Sequence, residues 1–513
     1  MRRSLIGIVI ALAASLAGTA LGAPANAYID QGKLTGTADR DVDAFLGVPF
    51  AAPPVGELRW KAPEPASKWQ GARAATAFAP SCPQPVDPKG FGPWTSEYVV
   101  QGAVAEDCLY LNVWAPSERR AQPVLVWIHG GAFTSGSGSV PIYDGAALAR
   151  AGIVVVTINY RLGALGFLAH PELTREAGAS GNYGLLDAIA ALRWIATNIG
   201  AFGGDPHRVT IAGQSAGAAM VLDLVDSPLA KGLFARAIAE SGAGLGISVP
   251  LLADAERTGL AFAQAKGAKS LADLRALSAE EIIKPQAGAA GPTLGFAPIV
   301  DGRALLAGEH FVSDVPIVTG LTADEGSAMS PGYGHATKEQ LATQSRAQYG
   351  DLAARFLALY PAASDAEAAD AAKTAARERG LASTLLWARA RELKSSSHTY
   401  VYLYVHPEPG PDSARYGAFH SSEIPYVFKN LDKADRPYTA ADRSVVLTVS
   451  GYWLSFIRNG DPTGPGLVPW PPFDPQLNLY LEVGERTGTR ALDARKVEIF
   501  ERAASSGRPP SLF

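Results

Sequence analysis

"RVTIAGQSAGAAMVLDLV", residues 208–225, runs from an apolar, β-branched strand pattern into an alanine-rich helical pattern through Gly213-Gln214-Ser215-Ala216-Gly217. In a chain with 53 glycines the bare pentapeptide G-x-S-x-G is a weak signal, and its flanks are what make it informative. A sharp turn from strand into helix strains the serine backbone and presses strand against helix, and glycines two places to either side leave room for that approach. The stretch therefore predicts one exposed hydroxyl, Ser215, at the carboxyl end of a sheet strand with a helix N-terminus beneath it.

The same alternation continues outward. "PVLVWI" (123–128), "IVVVTINY" (153–160) and "ARAIAES" (235–241) read as strands, and "LLDAIAALRWIATNI" (185–199) reads as a helix. Further strands are expected at "VPIVTGL" (315–321), "TYVYLYV" (399–405) and "LYLEV" (479–483). Strand–helix–strand order of this kind means an α/β fold with a largely parallel sheet covered on both faces. Residues 252–283 and 361–394 break the rhythm and read as helical insertions beside the sheet. No repeat or linker divides the chain, so 28–513 is read as one domain.

The first 27 residues have a different character: Arg2 and Arg3, an apolar run, Pro24, then Ala25-Asn26-Ala27. That is the layout of an export signal cut after Ala27, and its alanine and glycine richness favours cleavage over a retained membrane anchor. The twin arginines leave the export route open. With 45 basic and 49 acidic residues the chain has a net charge of −4 and no electrostatic reason to bind nucleic acid. The expectation is a soluble, secreted or periplasmic protein with no membrane anchor after processing. The two cysteines, Cys82 and Cys108, read as one disulfide in an oxidising compartment. Neither has a second Cys or a His at ligand spacing, so no metal site and no cofactor are expected.

An exposed serine needs a base to take its proton and donors to receive the charge on the attacked carbonyl. "HGGAF" (129–133) follows the strand at 123–128, and its backbone N–H groups at Gly131 and Ala132, with that of Ala216, form the expected oxyanion hole. His129 precedes the nucleophile and is read as packing under this turn. The acid and the base should follow Ser215 in that order. "TADEGS", after the strand at 315–321, offers Asp324 and Glu325, which spacing does not separate. Of the later histidines, His335 sits in a glycine-rich loop and His398 leads into a strand, while His406 and His420 both follow the strand at 399–405. His420, in "YGAFHSSEIPYVF", has the surroundings of a site loop and is favoured.

Taken together these residues resemble the type-B carboxylesterases, the family of the cholinesterases and the bacterial para-nitrobenzyl esterases. "FLGVPFAAPPVGELRW" (45–60), "EDCLYLNVW" (106–114), "VWIHGGAFTSGS" (126–137), "NYRLGALGFL" (159–168), "GNYGLLD" (181–187), "FGGDPHRVTIAGQSAG" (202–217), "TADEGS" and "GAFHSSEIPYVF" run in family order. The resemblance implies the α/β-hydrolase fold, a large mostly parallel mixed sheet with helices on both faces. It implies Ser215, Glu325 and His420 as the triad, the Cys82–Cys108 bridge, ion pairs Arg59–Glu106 and Arg161–Asp187, and Ser241 as a group near the acid. The expected activity is hydrolysis of a small-molecule carboxylic ester, with amide, carbamate or thioester hydrolysis and a non-catalytic binding role as the competing readings. Gln214 stands where cholinesterases carry glutamate, Ala132 where they carry a third glycine, and Tyr98 falls nearer than Trp94 to the place of their choline-stacking tryptophan. These departures argue against a quaternary-ammonium substrate.

Overall fold

The computed structural model describes residues 24–244, 249–284, 295–308 and 310–508. Thirteen strands build one sheet: β1 (Ala25–Ile29), β2 (Gly32–Asp39), β3 (Val42–Pro49), β4 (Ala72–Ala74), β5 (Tyr110–Pro116), β6 (Gln122–Ile128), β7 (Val154–Ile158), β8 (Gly204–Gln214), β9 (Arg236–Glu240), β10 (Ile317–Thr322), β11 (Thr399–Tyr404), β12 (Leu479–Val483) and β13 (Gly488–Ala491). Their spatial order is β1-β2-β3-β5-β7-β6-β8-β9-β10-β11-β12-β13, with β4 beside β2. Neighbours from β7 to β12 run parallel. The pairs toward both edges are antiparallel, apart from the parallel pair of β2 with β4.

Every residue of β7, β10 and β11 is buried. Successive strand residues point to opposite faces, so both faces of the sheet are covered, as the continuous apolar runs predict. The layers include α1 (Tyr183–Asn198), α2 (Ala216–Asp226), α7 (Asp365–Glu392) and α8 (Ala440–Asn459). The first expected insertion forms α3 (Leu252–Ala265), α4 (Leu271–Ala276) and α5 (Ala279–Ile283), and α6 (Lys338–Tyr349) precedes the second. Helices α3 to α5 close a smaller core around Trp60, Leu168 and Phe262.

Two ion pairs fasten these parts. Arg161 grips the fully buried Asp187 of α1 through Nε at 2.8 Å, Nη2 at 2.7 Å and its own backbone amide at 3.0 Å. Arg59 binds Glu106 through Nε at 2.7 Å and donates to the carbonyls of Arg275 and Leu277, tying the insertion to the body. The signal read from the sequence lies outside the described residues up to position 23. Its expected last three residues do not: Ala25, Asn26 and Ala27 of β1 pair with Gly36, Thr35 and Leu34 of β2, and Ala27 is fully buried.

Candidate active site

Ser215 joins β8 to α2 with φ 59° and ψ −126°, a left-handed conformation rare outside glycine. A Cβ on Gly213 would lie 2.5 Å from the Gly217 carbonyl, and one on Gly217 would lie 2.0 Å from the oxygen of Ile128. The two flanking glycines therefore permit the strand, the helix and β6 to meet at van der Waals distance. The Ser215 amide donates to the Glu240 carbonyl on β9 at 2.8 Å, and its own carbonyl accepts from Ala219 at 3.0 Å. These bonds fix the turn from both sides.

The loop after β6 approaches from the same end of the sheet. A Cβ on Gly130 would lie 3.1 Å from the Ser215 Cβ. Gly131, Ala132 and Phe133 follow with φ of 109°, 54° and 58°, and the amides of Thr134 and Ser135 both donate to the Gly131 carbonyl at 3.0 Å. His129 lies beneath them, buried and stacked on Tyr160 at 4.4 Å, with Nδ1–H donating to the Gly130 carbonyl at 2.8 Å. Tyr160 donates in turn to the His129 carbonyl at 2.8 Å. Burial draws the imidazole pKa down to about 4, which keeps it neutral, a packing group as the sequence indicated. Gln84 supports the far side of the loop: its Nε2 donates to the Gly136 carbonyl at 2.8 Å and its Oε1 accepts from the Gly136 amide at 2.7 Å. Nothing in the spacing marks Gln84 beyond its place two residues after Cys82.

The loop after β10 separates its two adjacent acids. Glu325 Oε2 meets His420 Nδ1, while Oε1 accepts from Ser241 Oγ at 2.5 Å and from the Thr322 amide at 2.8 Å. Asp324 faces the other way. It accepts from Tyr333 OH at 2.8 Å and from the Ala418 amide at 3.0 Å, with Arg377 and Lys373 at 3.5 and 3.6 Å. A Cβ on Gly417 would lie 2.2 Å from Asp324 Oδ2, so the glycine lets this carboxylate clasp the loop that carries His420. His335 and His398 are exposed. His406 is buried, with Nε2 against Asp442 at 2.9 Å.

The ring of His420 reaches the serine's neighbourhood through Gln214, whose Nε2 lies 3.1 Å from His420 Nε2 and 3.3 Å from Nδ1. Gln214 Oε1 accepts from Ser421 Oγ at 3.1 Å, and Trp94 donates its indole N–H to the His420 carbonyl at 3.0 Å. Tyr98 is drawn elsewhere: its hydroxyl donates to Glu408 at 2.7 Å. Cys82 and Cys108 are joined, with Cα atoms 4.9 Å apart. Among the described residues no group of three or more His, Cys, Asp or Glu side chains is placed to hold a metal ion. The arrangement sets a serine with a strained backbone, a glycine-rich loop and a carboxylate-bound imidazole at one end of the parallel strands, where such sheets carry their sites.

The carboxylesterase family profile matches residues 24–500. Fumonisin B1 esterase of Sphingopyxis macrogoltabida is 37% identical over 465 residues, covering 85% of this chain and 82% of its own. Para-nitrobenzyl esterase of Bacillus subtilis is 37% identical over 466 residues, covering 86% and 91%. A solved para-nitrobenzyl (PNB) esterase structure superposes with a TM-score of 0.77 at 33% identity, covering 92% of this chain and 99% of that one. The sheet and its helices are thus the α/β-hydrolase fold, and this chain belongs to the carboxylesterase family and is a carboxylic ester hydrolase.

Proposed function

We propose that the protein is an exported serine esterase acting through an acyl-enzyme on Ser215. His420 takes the Ser215 proton as the hydroxyl attacks the ester carbonyl, and Glu325 orients the imidazole and stabilises its charged form. The backbone N–H groups of Gly131, Ala132 and Ala216 receive the negative charge on the carbonyl oxygen. Collapse of that intermediate expels the alcohol with the proton from His420, and water repeats the sequence to release the acid.

The observation that carries this reading is the contact of Glu325 Oε2 with His420 Nδ1, on a ring that Gln214, the neighbour of Ser215, also touches. Labelling with an organophosphate tests it. Mass spectrometry of the digested enzyme should find the adduct on Ser215, and Ser215→Ala should lower kcat on a para-nitrophenyl ester by about 10⁴-fold or more. An adduct on another serine, with Ser215→Ala still active, removes the assignment. Matched ester and amide substrates then rank the acyl-transfer chemistries against one another.

A further inference from the structure

One contact in the site has no part in the steps above, that of the Gln214 side chain with the ring of His420. Glu325 meets the Nδ1 edge of this ring, and Trp94 holds the backbone carbonyl of the same residue. Neither contact fixes the ring plane, because a ring held at one edge can still swing about that bond. The Gln214 carboxamide supplies what is missing. Its Nε2 lies 3.1 Å from His420 Nε2 and 3.3 Å from Nδ1. An atom so nearly equidistant from the two ring nitrogens cannot lie in the ring plane, where ring carbons would collide with it. The carboxamide therefore rests over a face of the imidazole.

Gln214 is itself held at both ends. It closes β8 in register with Glu240 of β9 and is buried, at 3% exposure. Its Oε1 accepts from Ser421 Oγ at 3.1 Å, which leaves the N–H end to face the ring, the end that the electron-rich face of a neutral imidazole attracts. Ser421 follows His420 with φ 86°, a conformation that glycine adopts freely and serine only under strain. A serine here offers one bond that glycine lacks, the bond to Gln214.

We propose that Gln214 is a positioning residue for ester hydrolysis: locked by Ser421, its carboxamide sets the plane of the His420 ring so that Nε2 faces Ser215 as the proton moves. The inference rests on the serine-esterase reading, which assigns the proton transfer to that nitrogen. A misplacement of about 1 Å in such a group can cost on the order of 10²-fold in rate, which sets the scale of the effect.

Gln214→Leu keeps the bulk and deletes the carboxamide. It should lower kcat on a para-nitrophenyl ester by about 10-fold or more, with KM within about twofold of wild type. Ser421→Ala should lower kcat by about threefold or more, again with little change in KM. The double variant should be no slower than Gln214→Leu alone, because Ser421 acts through Gln214. Gln214→Glu keeps the shape and sets a negative charge over the ring, which favours the charged imidazole. The acid limb of its kcat/KM profile should therefore move up by about one pH unit. Mere loosening of the fold gives neither the shifted limb nor the non-additive losses.

Losses that add in the double variant, a change confined to KM, or an acid limb that stays in place overturn the proposal. Should the Gln214 variants not fold, Ser421→Ala decides: a reduced kcat at unchanged KM supports it, and wild-type kcat overturns it. Organophosphate labelling of the same variants separates the two readings. An adduct on Ser215 that forms at the wild-type rate in every variant overturns this inference alone, and an adduct elsewhere overturns it together with the assignment of Ser215.

Discussion

Ala132, Phe133, Ser215, Ser241 and Ser421 hold left-handed φ values of 54°, 58°, 59°, 56° and 86°, and all five lie on the loops that meet at the site. Each such residue costs about 1–3 kcal/mol unless its surroundings enforce it, and hydrogen bonds at several of these turns do so. The adjacent acids show why sequence stops short here. Spacing reads both Asp324 and Glu325 as loop carboxylates, and only the direction of each side chain separates them. Glu325→Gln should lower kcat by about 10³-fold or more with little change in stability, as the imidazole loses its charged partner. Asp324→Asn should mainly lower the Tm by weakening the tie to Arg377, Lys373 and the Ala418 amide. The opposite pattern in steady-state rates and thermal melts would exchange their roles.

His129 gives a pH test at the same scale. Its pKa falls from 6.5 to about 4, so the neutral ring contributes stability that is present above the unfolded value and lost as pH drops toward the folded one. For a fully buried ring that loss is about 3 kcal/mol. The stability gap between wild type and His129→Gln should close by about this amount from pH 6.5 to pH 4, measured by urea unfolding. A gap that stays constant would mean the ring is not held neutral.

Among the elements, the segment closed by Cys82–Cys108 reaches furthest. It carries Gln84, which supports the turn after β6, and Trp94, which holds the His420 carbonyl. Replacing both cysteines by serine should cost up to about 3.5 kcal/mol from loop entropy. It should also lower kcat at temperatures where the variant is fully folded, because two supports of the site loosen together. An unchanged kcat would confine the bridge to stability. The bridge and the parallel strands are legible in sequence because cysteine count and unbroken β-branched runs are local signals. Gln84 is not, since its contact depends on the path of an irregular loop. Periodicity also fails to single out α8: Val445, Val446, Thr448 and Val449 give it a strand-like composition, and tertiary packing behind a Thr439–Asp442 capping box overrides propensity.

Across the whole molecule, segments separated by hundreds of residues converge because parallel strands deliver their following loops to one edge of the sheet. That convergence is readable from the order of strands and loops along the chain, whereas the first strands of the antiparallel margin, β1 to β3, mix small and polar residues with apolar ones and give no strong periodic signal. This margin bears on maturation. A processing peptidase that reads Ala25-Asn26-Ala27 needs those residues extended and free in its cleft, while the fold of the uncut chain binds them to β2 and seals Ala27 inside. If the leader is cut there, trimming and folding compete for the same three residues, and the scissors must arrive before the hairpin closes.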